Sequence, residues 1–262
     1  MENWGDDPAI VLYCKNLARR FGSGTAFEEV SFAVRRGEVL GIVGESGAGK
    51  STLLNCLSGR LIPSHGVVYY QKNGTIKNLY GIGERERRRL LRTEIGVVVQ
   101  NPREGLRLNI SAGGNISEKL MAEGIRNYGT LRRTALEWLE RVEIDKSRID
   151  DKPSTFSGGM LQRLQIARNL VTKPKLLFLD EPTAGLDVSV QARLLDLLRR
   201  LVQQLRLSVI MVSHDLAVAR VLSHRLFVMK EGKIVESGLT DQILDDPRHP
   251  YTQLLVACRL QP

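Results

Sequence analysis

Cysteine is scarce in this 262-residue chain: Cys14, Cys56 and Cys258 are odd in number, far apart and form no CxxC pair. That argues against a disulfide framework or a zinc site, and points to a reducing, cytoplasmic setting. Long apolar runs are missing as well. Nothing approaches the roughly 18 residues of a membrane span; "SVIMVS" (208–213) and "IGVVVQ" (95–100) have the length of buried strands. If the protein works at a membrane, another subunit must do the crossing. The opening "MENWGDDPAI" carries acids and no apolar core, so it does not read as a signal peptide. Internal repeats and low-complexity segments are absent.

What is present is ordinary for a soluble globular protein, with 42% hydrophobic and 26% charged residues. The length suits one large domain or a core plus a subdomain. The formal charge is +9, and much of it sits in "RERRRLLR" (85–92), where Arg85, Arg88, Arg89 and Arg92 follow helical spacing. A solvated helix face is the first reading of that run, and a contact with an acidic protein partner the second. Nucleic acid comes last, because no aromatic residues interleave the arginines.

Strands are expected at residues 10–17, 28–34, 38–44, 66–74 (ending in an Asn-Gly turn) and 94–100. Residues 101–152 lack a strong strand, and "LRRTALEWLERV" (131–142) is amphipathic at helical spacing. Then come strand "KLLFLDE", helix "SVQARLLDLLRRLVQQL", strand "LSVIMVSHD", helix "LAVARVLS", and two short strands before a helical tail. Strand and helix alternating around a helical insert predict an α/β core with a helical subdomain.

"GESGAGKST" (44–52) fits the G-x-x-x-x-G-K-[ST] phosphate loop, following a strand and opening a helix expected from Lys50 to Ser58. The glycines, Gly44, Gly47 and Gly49, let backbone N–H groups close on phosphates, with Ser46 and Thr52 completing the segment. Lys50 adds a point charge at the β and γ phosphates, and Ser51 offers a hydroxyl to Mg²⁺. The strand "KLLFLDE" delivers Asp180 and Glu181 to the carboxyl edge of a sheet. There Asp180 suits the Mg²⁺ shell, and Glu181 can orient or deprotonate an attacking water. Ser157, Gly158 and Gly159 precede a helical pattern; they suit an anion site, or a plain N-cap by Ser157.

Together these motifs resemble the ATP-binding cassette ATPases over nearly the whole chain. The phosphate loop, Gln100 after a strand, "SGGM", "LFLDEP", "AGLD" and His214 occur in that family's order. The resemblance implies a single cassette domain spanning 1–262: a phosphate-loop core sheet, an antiparallel β subdomain, a helical subdomain at about 101–172 and a C-terminal helical tail at about 240–262. It implies ATP and Mg²⁺ as ligands and a dimer with a second cassette packed head to tail, a second copy of this chain being the first reading and a related partner the alternative. Each ATP would then touch one subunit's phosphate loop and the other's Ser157–Gly159 segment. Gln100 would sense Mg²⁺ and the attacking water, Asp187 would cross the interface, and His214 would contact the γ-phosphate. Met160 stands where the family often has Gln. Phe21 is the candidate for stacking on adenine, with packing into the core as its alternative.

A cassette does not name its load. An importer's ATPase, an accessory ATPase of a soluble enzyme complex and a nucleic-acid motor all compete. "DDPRHPYTQLL" resembles ATPases of peptide and nickel importers. At subfamily level, "LLRTEIGVVVQNPREGLRLNISAGGNISEKLMA" and "VEIDKSRIDDKPSTFSGGM" resemble the ATPase subunit of the bacterial carbon–phosphorus lyase system. That implies soluble phosphonate-degrading subunits as partners. The carbon–phosphorus cleavage itself would belong to another subunit, because these cysteines lack iron–sulfur spacing. With two glycine-rich segments assigned to the nucleotide, "SAGGN" (111–115) is expected to shape a partner surface, or to be a subdomain turn.

Overall fold

A computed structural model describes residues 4–22, 24–72 and 74–259. The chain opens with two long antiparallel strands, β1 (Ile10–Phe21) and β2 (Gly24–Arg35), then β3 (Val39–Val43), which runs into α1 (Lys50–Leu57). Next come β4 (His65–Lys72), β5 (Thr75–Asn78), α2 (Glu84–Thr93) and β6 (Ile95–Val98). An all-helical stretch follows: α3 (Pro102–Gly105), α4 (Ala112–Ala122), α5 (Tyr128–Arg141) and α6 (Gly158–Leu170). The core resumes with β7 (Leu176–Asp180), α7 (Val188–Leu205), β8 (Ser208–Ser213), α8 (Leu216–Leu222), β9 (Arg225–Lys230) and β10 (Lys233–Leu239). The tail is α9 (Thr240–Asp245) and α10 (Pro250–Arg259).

Among the described residues these strands form two sheets, one ordered β2-β1-β4-β5 and antiparallel, the other β10-β9-β3-β8-β7-β6. In the larger sheet β6, β7, β8, β3 and β9 are parallel, and β10 folds back antiparallel on β9. Its central strands are apolar on both faces because both faces are covered. Leu177 and Leu179 of β7 and Val209 and Met211 of β8 pack into one core beneath the helices. Their neighbours Leu176, Phe178, Ile210 and Val212 pack into a second core against the antiparallel sheet and α1. The two-residue repeat of a strand thus divides one sheet between two cores.

The expected strands are all present, with β1 and β2 several residues longer than anticipated. Strand β5 is an addition: Tyr70 pairs with Lys77 and Gln71 with Ile76, making a hairpin with β4. Asn73, half of the expected Asn-Gly turn, and residues 260–262 of the tail lie outside the described residues. The arginine run forms α2, which buries Leu90 alone, and Arg85, Arg88, Arg89 and Arg92 line an open groove.

The glycine pair at "SAGGN" is a correction. It is not a subdomain turn but the first turn of α4. The Ser111 side chain caps that helix by accepting the Gly114 N–H at 3.2 Å. A Cβ on Gly113 would lie 2.6 Å from Ile149 Cγ1, so the close approach needing glycine is to the same chain. Buried Asn115 completes the knot, accepting from Arg107 N at 2.8 Å and donating to the carbonyls of Arg107, Ile110 and Ser111.

Candidate active site

The carboxyl ends of β3, β6, β7 and β8 open on a cavity of about 440 Å³. It is lined by Ala26, Ser46, Gly47, Gly49, Lys50, Ser51, Thr52, Gln100, Glu181 and His214. Gly49 caps α1 with φ 98°, and a Cβ there would stand 2.2 Å from the Ala26 carbonyl oxygen. Only glycine lets the loop close against β2 and turn Lys50, Ser51 and Thr52 into the first turn of α1. The N–H groups of that turn have no partners within the helix, which makes its end an anion site. Lys50 is buried, and its Nζ donates to the carbonyls of Gly44 and Glu45, each at 2.8 Å.

Ser51 Oγ donates to Asp180 Oδ1 at 2.8 Å, joining the phosphate loop to the end of β7. Burial pushes the Asp180 carboxyl above its ordinary range. The Ser51 hydrogen bond opposes that, the Glu181 charge adds to it, and Arg60 and Lys50 oppose it. Ser51, Asp180 and Gln100 supply a hydroxyl, a carboxylate and an amide oxygen, the hard oxygen set that magnesium takes. The direct Ser51–Asp180 contact shows that two of the three already meet, so the donor set fits that ion.

Glu181 is buried at the next position and carries φ 46°, in the left-handed region that a non-glycine residue adopts at a cost of about 1–3 kcal/mol. Its N–H donates to the Val212 carbonyl at 3.0 Å, holding the twist against β8. His214 follows the end of β8, half exposed, with Nδ1 2.8 Å from Glu181 Oε2. Gln100 is exposed at the cavity edge after β6. Phe21 ends β1 and is 51% exposed, which removes its core-packing alternative; the Arg19 guanidinium lies 4.5 Å from its ring centroid. Phe21 is not among the residues lining the cavity.

Ser157, Gly158 and Gly159 are not brought to this cavity. Ser157 is the exposed N-cap of α6, accepting the Met160 N–H at 3.3 Å, so both expectations for it are compatible. Gly158 lines a different hollow, with Asn101, Gln162 and the Ala184–Leu186 loop. That loop ends at exposed Asp187, the N-cap of α7. A hydrogen bond from the Val190 N–H, with help from Ser189, holds the Asp187 carboxyl below its usual range.

Over half of the chain, residues 27–184, matches the ABC transporter family. The chain belongs to the ATP-binding cassette family. As such a cassette it is an ATPase with a site for ATP. It is 62% identical, over 96% of its length and 98% of the other, to PhnK of Escherichia coli (strain K12), an ATP-binding protein named for phosphonates utilization. It is 40% identical to the dipeptide transport ATP-binding protein DppD of the same strain, covering 94% of this chain and 77% of that one. Among solved structures it superposes on the cassette MJ0796, a dimer in a post-hydrolysis state bound to ADP and Pi. There the TM-score is 0.78 at 29% identity, covering 87% of this cassette and 98% of that chain. The structure of cbiO1 from Clostridium perfringens, part of the ABC transporter complex cbiONQ, gives the same TM-score at 29% identity and 96% coverage of both chains.

Two supporting residues escaped the sequence reading. Gln165 of α6, fully buried, accepts the Val99 N–H at 2.6 Å and donates to the Val99 carbonyl at 3.1 Å, fixing the backbone that presents Gln100. A polar residue on the buried stripe of a helix is the signal that would have found it. The other is Tyr251 of α10, whose hydroxyl accepts the Glu45 N–H of the phosphate loop at 3.2 Å.

Proposed function

We propose that this cassette is the ATP-hydrolysing accessory subunit of the cytoplasmic carbon–phosphorus lyase complex of phosphonate catabolism, coupling closure of a cassette homodimer to that complex. The observation carrying this reading is the 62% identity, end to end, with a protein named for phosphonates utilization, against 40% with a dipeptide-transport cassette. Among the described residues no helix is long and apolar enough to cross a membrane, so an importer role would require separate permease subunits.

In this reading the chain is one cassette domain, with about 101–172 as helical subdomain and about 240–262 as tail. Gly44, Ser46, Gly47, Gly49, Lys50 and Thr52 hold the phosphates of ATP, and Phe21 stacks on the adenine. Ser51, Gln100 and Asp180 hold Mg²⁺, which when bound neutralises charge on the β and γ phosphate oxygens. Glu181 accepts the proton of the attacking water, and His214 orients Glu181 and meets the γ-phosphate. Because none of them lines the phosphate-loop cavity and Gly158 lines a separate hollow, the Ser157–Gly159 segment and Asp187 serve the ATP held by the second copy. The cassette does not cleave the carbon–phosphorus bond.

The test is to purify the tagged full chain without detergent from phosphate-starved cells and identify what accompanies it. Recovery of soluble phosphonate-degrading subunits supports the proposal. A second reading, the ATPase of a peptide or nickel importer, draws on the 40% identity to a dipeptide-transport cassette. Integral permease subunits, recovered only with detergent, would replace the first reading with the second.

A further inference from the structure

The segment "DDPRHPYTQLL" has no part in the roles above, yet it is tied to the phosphate loop. The Glu236 carboxylate on β10 accepts two successive backbone N–H groups, from Arg248 at 2.8 Å and His249 at 3.0 Å. That anchors the chain as it turns into α10. His249 Nδ1 then accepts the Tyr251 N–H at 3.1 Å, capping the helix, and Pro250 supplies a first residue with no N–H to satisfy. Tyr251 is thereby fixed on the first turn, its ring buried and the Lys230 ammonium 5.1 Å from the ring centroid.

The Tyr251 hydroxyl reaches Glu45, 206 residues earlier in the chain. The Glu45 peptide is held from both sides. Its N–H goes to Tyr251, while its carbonyl accepts from Lys50 Nζ at 2.8 Å and from the Ala48 N–H at 3.2 Å. A loop whose peptides are fixed in advance loses less freedom on binding phosphate, and the saving appears as affinity.

We propose that Tyr251 is a positioning residue for the phosphate loop, and that Glu236 and His249 form a latch holding its hydroxyl on the Glu45 N–H. The inference rests on ATP binding by the phosphate loop and is independent of which complex the cassette serves. It is tested on the isolated full chain with Tyr251→Phe, which keeps the ring and removes the hydroxyl. Equilibrium titration with a fluorescent ATP analogue should give a Kd raised about three- to tenfold, the span expected of one net hydrogen bond. The KM for ATP should rise in parallel, with kcat within about twofold of the parent and Tm little changed. Glu236→Gln, which keeps one acceptor oxygen, should weaken binding in the same direction but less. The double variant should bind no worse than Tyr251→Phe, because the anchor acts through the hydroxyl. Unchanged affinity in Tyr251→Phe, whatever its Tm, overturns the proposal. So does a loss confined to kcat, or an effect of Glu236→Gln that adds in full to that of Tyr251→Phe.

Discussion

Glu181 Oε2 lies 2.8 Å from His214 Nδ1, so the carboxylate at the end of β7 and the imidazole at the end of β8 form one unit facing the phosphate loop. The left-handed backbone at Glu181 directs this residue, rather than a further strand residue, toward the cavity. Replacing Glu181 by Gln preserves the shape while removing the basic oxygen. Turnover should fall about 10²- to 10⁴-fold, equivalent to ~3–5 kcal/mol of barrier, with ATP still bound. Single-turnover hydrolysis alongside nucleotide titration measures both, and near-normal turnover would show that Glu181 is not the base.

Lys50→Ala should act at the earlier step. The ammonium is buried and holds the carbonyls of Gly44 and Glu45, so its loss removes a phosphate contact and loosens the loop that makes the others. Titration with ATP should show strongly weakened binding; unchanged affinity would count against the phosphate-loop assignment.

Asp180 carries a cost at neutral pH. Its carboxyl is raised above the ordinary range chiefly by burial. Between its unfolded and its raised folded value the native state binds more protons than the unfolded chain, so this group's contribution to stability falls as pH rises through that window. Asp180→Asn should therefore raise Tm at pH 7.5, with the gain shrinking as pH is lowered and the parent carboxyl protonates. The same variant should lose magnesium-supported turnover. A Tm difference that is flat with pH would show that the raised carboxyl is not the cause.

Gly113 is committed to packing. A side chain there meets Ile149 well inside contact distance, so Gly113→Leu should overpack the site at a cost of about 1–3 kcal/mol. Thermal unfolding should register a drop of roughly 2–4 °C per kcal/mol for a chain of this size. A variant as stable as the parent that had lost partner binding would restore the surface role first expected for "SAGGN".

The phosphate loop and the Asp180–Glu181 pair were legible because their chemistry demands fixed residue types at fixed spacing. The central strands were legible because a sheet covered on both faces writes continuous apolar runs. Strand β5 was not: "TIKN" is short and largely exposed, and only pairing with β4 makes it a strand. Helix α4 was hidden by two glycines that lower helix propensity, and it is held by the side chains of Ser111 and Asn115 rather than by preference. Gln165 and Tyr251 act through contacts 66 and 206 residues away in the chain, beyond any local pattern.

The start of α6 touches the start of α7 so closely that a methyl on Gly159 would fall 2.6 Å from Val190 Cγ1. Such a junction has no slack. Ser157 at one helix tip and Asp187 at the other are therefore spaced by a contact with room for glycine alone, and a bulkier residue at position 159 would have to displace Val190 to fit.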